Sequence, residues 1–208
     1  SVDNYVMKIH DSIYEIYKSE EKNNGIEAMR QYFNEKITDE WKNKQSAINA
    51  VTRYFSDYNK FFLSLSQARK SRAGKTFEYI LKALFDKCEI PYSYQPVVNG
   101  NPDFIIPGKE SYLDAPQNTL VVTLKRTTKE RWRQVSTEGA RGYRFFLATI
   151  DKKITNKQLD EMAQNQVTLL IPEHIINEKK IYRDHSIVYN YKELFTRFIP
   201  QCLELWNN

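Results

Sequence analysis

The chain reads as an α/β protein with a central mixed five-stranded sheet flanked by helices and a helical subdomain at its N-terminus. Three observations predict this. From Tyr92 onward, short apolar runs of strand length alternate with helical patterns. Thr119 to Leu124 is β-branched or apolar throughout, as suits a strand buried on both faces. Before Asp57, apolar residues recur at intervals of three and four.

Taken in order, Tyr5, Ile9, Ile13, Ile16 and Tyr17 mark a first helix, which Asn23-Asn24-Gly25 is expected to break. Ile26, Met29, Tyr32 and Phe33 continue the rhythm, and Ile48, Val51, Tyr54 and Phe55 mark a further helix. Residues 1–60 are thus expected to form the helical subdomain, a scaffold with a DNA-facing or dimerising edge. Residues 61–208 are expected to form the α/β domain. Tyr58 to Phe85 should hold a loop and then a long helix, with Phe77, Ile80, Leu81, Leu84 and Phe85 facing inward. The five strands are predicted over Tyr92 to Val98, Asp103 to Ile106, Thr119 to Lys125, Tyr143 to Ile150, and Val167 to Ile171, the last ended by Pro172. A helix is predicted over Asn156 to Gln166. The tail from Lys192 has helical spacing, with Pro200 expected to kink it or divide it in two.

Composition narrows the classes of function. A chain of 208 residues can bury one substantial core. No apolar run approaches the roughly 20 residues that span a bilayer, which excludes a membrane role, and the start does not read as a signal peptide. Cys88 and Cys202 each lie in an apolar helical pattern and are expected to be reduced core residues, as in a cytoplasmic protein. Neither pairs with His10, His174 or His185 at a zinc spacing. A net charge of +5 favours a polyanionic partner. The charge is also clustered: residues 69 to 75 carry four basic groups and no acid, and residues 125 to 133 carry five against Glu130. That placement suits phosphate contacts on either side of the stretch between them.

Between these clusters lies the stretch with the chemistry. Asn99-Gly100-Asn101-Pro102 is turn chemistry and should set Asp103 at the start of a strand. The apolar run from Leu120 delivers Lys125 at a strand end. Thr127 and Glu130 then have the spacing of a capping box that opens a polar helix carrying Glu138. Phosphodiester hydrolysis needs carboxylates to hold a hard divalent cation and a positive group beside the scissile phosphate. Asp103, Lys125 and Glu138 could supply that set. Each alone reads as a turn residue, a solvated strand end or an exposed helix position; together they point to a nuclease.

The arrangement resembles the PD-(D/E)XK nuclease superfamily, except that Thr123 stands where the motif usually has its second acid. In the EcoRII- and PspGI-like restriction endonucleases that acid has moved onto the following helix, where Glu138 stands. The segment Lys125-Arg126-Thr127-Thr128-Lys129-Glu130-Arg131-Trp132-Arg133-Gln134 is similar to the catalytic segment of that group. So is the upstream stretch Gln67-Ala68-Arg69-Lys70-Ser71-Arg72-Ala73-Gly74-Lys75 followed by Glu78. The likeness covers roughly residues 60 to 172.

The resemblance implies a restriction-endonuclease-like core and a type II enzyme of a prokaryotic restriction-modification system. It implies Mg2+ held by Asp103 and Glu138, Lys125 at the scissile phosphate, and Glu78 as a further acid that ligands a second ion or tunes the first. Lys129, Glu130 and Arg131 would read a CC:GG element, although Glu130 could instead close the capping box, and Gln67 would reach base edges from the minor groove. Arg69, Lys70, Arg72, Lys75, Arg126 and Arg133 would contact phosphates. A palindromic CCWGG, CCNGG or CCGG target, cut to leave 5' overhangs, implies a homodimer. In this group the N-terminal region helps form the dimer and in some members stacks an extruded base; Trp41 is one candidate for stacking, and core packing is its ordinary reading. The chain could be a whole enzyme or the catalytic part of one with a separate effector domain. Two other readings stay open: a repair nuclease of the same superfamily that ignores sequence, and a DNA-binding module that does not cut.

Overall fold

A computed structural model describes residues 2–36, 43–98, 100–128 and 144–207. Two compact units are present, residues 11–75 and residues 1–10 with 76–208. The division between these units falls within two long helices.

Helix α1 runs unbroken over Val2–Lys36, so Asn23-Asn24-Gly25 does not interrupt it. Glycine weakens a helix interior by only about 1 kcal/mol relative to alanine, which packing readily offsets. A Cβ at Gly25 would lie 3.5 Å from the Leu65 side chain, so this turn is packed against another helix. Helix α2, Lys44–Arg53, opens on a reciprocal capping box between Asn43 and Ser46. Helix α3, Phe55–Lys87, is also continuous, and the loop expected after Tyr58 is absent from it. In the 11–75 unit, Tyr32 stacks edge-on with Tyr54 and Tyr58 and donates its hydroxyl to Asp57 at 2.8 Å.

The second unit is built on a mixed sheet. Six strands are present among the described residues, in the order β1 (Ser93–Tyr94), β2 (Phe104–Ile106), β3 (Leu120–Leu124), β4 (Arg144–Ala148), β5 (Val167–Leu170) and β6 (Val188–Tyr189). β1, β2 and β3 pair antiparallel; β3 through β6 pair parallel. The mixed sheet was expected, with five strands. The sixth is a two-residue strand defined by its partner: Leu169 N–H donates to Ile187 and Ile171 N–H to Tyr189. β1 is far shorter than predicted, because Gln95 takes φ 44° and the following Pro96 has no N–H to pair.

Side chains alternate across the sheet. Phe104, Ile106, Leu120, Val122, Leu124, Phe146 and Ala148 pack on one face against Phe77, Leu81 and Phe85 of α3 and Leu194 and Phe198 of the tail. Ile105, Val121, Phe145, Leu147 and Leu169 pack on the other against Leu159 and Met162 of helix α4 (Asn156–Gln164) and Ile175 of helix α5 (Glu173–Glu178). β3 is buried along its whole length, as its composition requires. A single turn, Tyr191–Glu193, and a π-helical turn, Leu194–Phe198, precede the last helix, Ile199–Asn207, whose second residue is Pro200. Cys202 is buried, whereas Cys88, read as a core residue, is exposed beyond the end of α3.

Asp3 ties the chain's start into this unit. Its carboxylate accepts the backbone N–H groups of Glu173, Tyr191 and Lys192 at 3.1, 3.0 and 3.2 Å, where two helical segments begin. Among the described residues, no helix is long and apolar enough to cross a membrane.

Candidate active site

The site forms where β2 begins and β3 ends. Gly100 takes φ 93°, which its lack of a side chain permits, and reverses the chain just ahead of Asp103. Gln95 N–H donates to the Asp103 carbonyl at 2.8 Å, closing the turn onto β1. β2 and β3 are antiparallel, with Phe104 opposite Val122, so the residue before β2 and those at the end of β3 meet at one edge. Leu124 N–H accordingly donates to Asp103 Oδ2 at 2.6 Å, and Lys125 Nζ lies 4.0 Å from the same oxygen. Lys125 N–H continues the ladder to the Ala148 carbonyl, which fixes its backbone while the side chain stays partly exposed.

Glu78 reaches this edge from α3. Tyr94 Oη donates to its Oε2 at 2.8 Å and Gln95 Nε2 donates to the same oxygen at 2.9 Å. Burial, and then the bond to Glu78, holds the Tyr94 hydroxyl far above its ordinary pKa, so it remains a donor. Burial also pushes the Asp103 carboxyl up. The negative charge of Glu78 adds to this rise, while the Leu124 N–H and the Lys125 ammonium pull it back. Asp103, Lys125 and Glu78, distant in sequence, are thus electrostatically coupled in one place.

Each carboxylate keeps one oxygen, Oδ1 of Asp103 and Oε1 of Glu78, without a hydrogen-bond partner among the described residues. Two such hard oxygens suit a small divalent cation, which is typically held by one or two carboxylates and completed by water. Among the described residues no group of three or more His, Cys, Asp or Glu side chains gathers for a metal. Glu138, the expected second ligand, lies outside the described residues, as do Lys129, Glu130, Arg131, Arg133 and Trp41.

The remaining expected site residues fall elsewhere. Thr123, at the position of the usual second acid, is buried in β3. Arg126 follows the strand half-buried, its carbonyl accepting the Thr149 hydroxyl at 3.3 Å. Gln67, Arg69, Lys70, Arg72 and Lys75 lie on the part of α3 that belongs to the 11–75 unit. Gln67 and Lys75 are exposed there and Arg72 is half-buried. Arg69 is engaged: its Nε donates to Glu21 at 3.0 Å and its Nη2 also bonds that carboxylate. The Arg69 hydrogen bond holds the Glu21 carboxyl below the usual range, with Arg72 contributing. Tyr94 and Gln95, which hold Glu78, carry no local sign of that role, because they read as a strand aromatic and a turn amide.

The model of the family described as EcoRII C terminal matches residues 31–190. The chain is 29% identical over 161 residues to the type II restriction enzyme SsoII of Shigella sonnei, covering 70% of this chain and 51% of that protein. It is 31% identical over 134 residues to the type II restriction enzyme EcoRII of Escherichia coli, covering 60% of this chain and 33% of that one. It therefore spans about half and one third of the lengths of these relatives. Among solved structures, metal-depleted Ecl18kI in complex with uncleaved, modified DNA superposes with a TM-score of 0.83 at 27% identity, over 99% of this chain and 71% of that one. The edge that gathers Asp103, Lys125 and Glu78 lies within the matched region, and the chain belongs to the EcoRII C-terminal family.

Proposed function

We propose that the chain is the cutting part of a type II restriction endonuclease that makes double-strand breaks in DNA at a short palindromic CC...GG site. CCWGG or CCNGG is preferred as the target and CCGG is the third candidate. The observation that carries this reading is the convergence of a buried carboxylate, a second acid and a lysine at one sheet edge, in a chain of this family.

Mg2+ held by Asp103 and Glu138, with Glu78 alongside, would supply positive charge at the phosphate. Lys125 holds the attacking water and the scissile phosphate together. Its ammonium offsets the negative charge that grows as the water oxygen bonds to phosphorus and the bond to the leaving sugar oxygen breaks. Its separation from Asp103 is too long for a strong pair, so its protons are available to substrate. Tyr94 and Gln95 orient Glu78.

Arg131 pairs with guanine O6 and N7, Lys129 reaches the neighbouring guanine and Glu130 accepts from cytosine N4. Gln67 approaches from the minor groove. Lys70, Arg72, Lys75, Arg126 and Arg133 contact phosphates; Arg69 has for this only the donors that Glu21 and Tyr14 leave over. The symmetry of such a target calls for a homodimer, with cuts ahead of the first cytosine leaving 5' overhangs.

The test is incubation with unmethylated phage DNA and Mg2+, with EDTA and Asp103→Ala controls, followed by sequencing of the fragment ends. Discrete ends at one CC...GG motif are expected. Random ends would replace this reading with a repair nuclease, and selective binding without cutting would replace it with a binding module.

A further inference from the structure

Thr128 is the last described residue before Lys129-Glu130-Arg131, and it is held more firmly than a loop residue needs to be. It is buried, and both its backbone N–H and its hydroxyl donate to a single oxygen, Asp151 Oδ2, each at 2.9 Å. The other oxygen of Asp151 accepts Lys153 N–H at 2.9 Å, so its carboxylate has a fixed orientation. Asp151 N–H in turn donates to the Thr149 hydroxyl at 3.1 Å, and that hydroxyl donates to the Arg126 carbonyl. Thr149 is itself fixed from behind, because its carbonyl accepts the buried Tyr191 hydroxyl at 3.0 Å and its N–H donates to Leu170.

The segment after β3 and the segment after β4 are therefore clasped together, starting from the Lys125–Ala148 ladder bond and ending at Thr128. The clasp lies beyond the parallel pairing of β3 with β4, which is complete by Leu124 and Ala148. Its consequence falls on what comes next in the chain.

We propose that Asp151 is a positioning residue for base reading, which registers the start of the Lys129-Glu130-Arg131 triplet to Lys125 by holding Thr128. This inference rests on the functional reading above. A side chain that reads a base edge does so through paired hydrogen bonds, so it must be held where both can form. The Asp151 carboxylate bonds Thr128 and the Lys153 N–H, so its loss lowers discrimination between correct and incorrect base pairs more than it lowers the intrinsic rate of cutting.

The experiment compares wild type, Asp151→Ala, Thr128→Val and Thr128→Ser on oligonucleotide duplexes carrying the target or a target with one C·G pair replaced. Single-turnover cleavage with Mg2+ and competition binding are measured, with unfolding midpoints recorded alongside. The expected result is a fall of about tenfold or more in the ratio of target to substituted-target cleavage for Asp151→Ala. A smaller fall is expected for Thr128→Val, which keeps the backbone donor, and a near-normal ratio for Thr128→Ser, which keeps both. Equal loss on both duplexes, or an unchanged ratio, in a folded Asp151→Ala overturns the inference; should that variant not fold, Thr128→Val decides by the same ratio. A wild-type chain that neither cuts nor binds with sequence preference overturns the functional reading, and this inference with it.

Discussion

Asp3 and Asp103 are both buried aspartates of the same structural unit, 1% and 9% exposed, yet their surroundings differ in kind. Asp3 accepts three backbone N–H groups shared between its two oxygens. Among the described residues, Asp103 accepts one backbone N–H, on the oxygen that also faces Lys125, and has the charge of Glu78 nearby. A carboxylate fully served by fixed backbone donors is a fastener, because its charge is matched and nothing further is wanted. A carboxylate buried with an oxygen unserved and a like charge beside it weakens the fold that carries it, and such an arrangement is expected where a ligand completes it. Burial alone does not separate the two; the count of donors does.

The comparison breaks most sharply at activity. On the proposed mechanism, Asp103→Ala should lower the cleavage rate about a thousandfold or more while the protein remains folded. Lys125→Ala should cost orders of magnitude in rate with DNA binding largely retained. Rate measurements on purified folded protein decide this, and a Lys125→Ala enzyme within about tenfold of wild type would remove lysine from the chemistry.

At Asp3 the effect should move to stability. Asp3→Ala leaves three helix-start N–H groups without their acceptor and should lower the unfolding free energy by about 3 kcal/mol. Cleavage per folded molecule should change little. Urea titration paired with specific activity separates the outcomes, and an unchanged midpoint would mean that water replaces the carboxylate at no cost.

A smaller effect of opposite sign is expected at Asp103 without metal. Its folded-state pKa is raised above the ordinary 3.8, so the folded protein binds the proton more tightly than the unfolded chain does. The stability associated with that proton is fully present below the ordinary value and is lost as pH rises through the raised one. Above that window the ionised carboxylate opposes folding. Asp103→Asn should therefore be more stable than wild type at neutral pH in EDTA, with the advantage shrinking as the solution is acidified toward 3.8. Added Mg2+ should narrow the gap by stabilising wild type alone. Thermal unfolding across pH, with and without Mg2+, tests both statements.

What the sequence makes legible follows the same division between local and distant. The turn at Gly100, the strand through Val122 and the delivery of Lys125 are encoded by neighbouring residues, and the structure places Asp103 and Lys125 together where those signals point. Glu78 was suggested by resemblance, and its companions Tyr94 and Gln95 were not, because their hydrogen bonds span 16 and 17 residues. β6 escaped notice since two residues cannot show alternation, and its existence depends on pairing with β5. Asn23-Asn24-Gly25 has turn chemistry, but its surroundings, which neighbouring residues do not encode, hold α1 helical through it. Asp3 reads as an ordinary residue near a helix start; its partners lie 170 and more residues away.

The finest test of the comparison lies one layer out from Asp103, at Tyr94. Its hydroxyl is one of two donors on Glu78 Oε2, the other being Gln95, so Glu78 stands between the fully served state of Asp3 and the underserved state of Asp103. Tyr94→Phe removes one donor and keeps the ring packed on Phe104, where the centroids are 5.2 Å apart. A hydrogen bond of this kind contributes about 1 kcal/mol, so the variant should need several times more Mg2+ for half-maximal cleavage, with a near-normal rate at saturation. If Glu78 takes no part in holding the ion, the Mg2+ dependence will not move and only stability will change. A shift in Mg2+ dependence with stability unchanged would place Glu78 with Asp103 among the residues kept for a ligand; the reverse would place it with Asp3 among the fasteners.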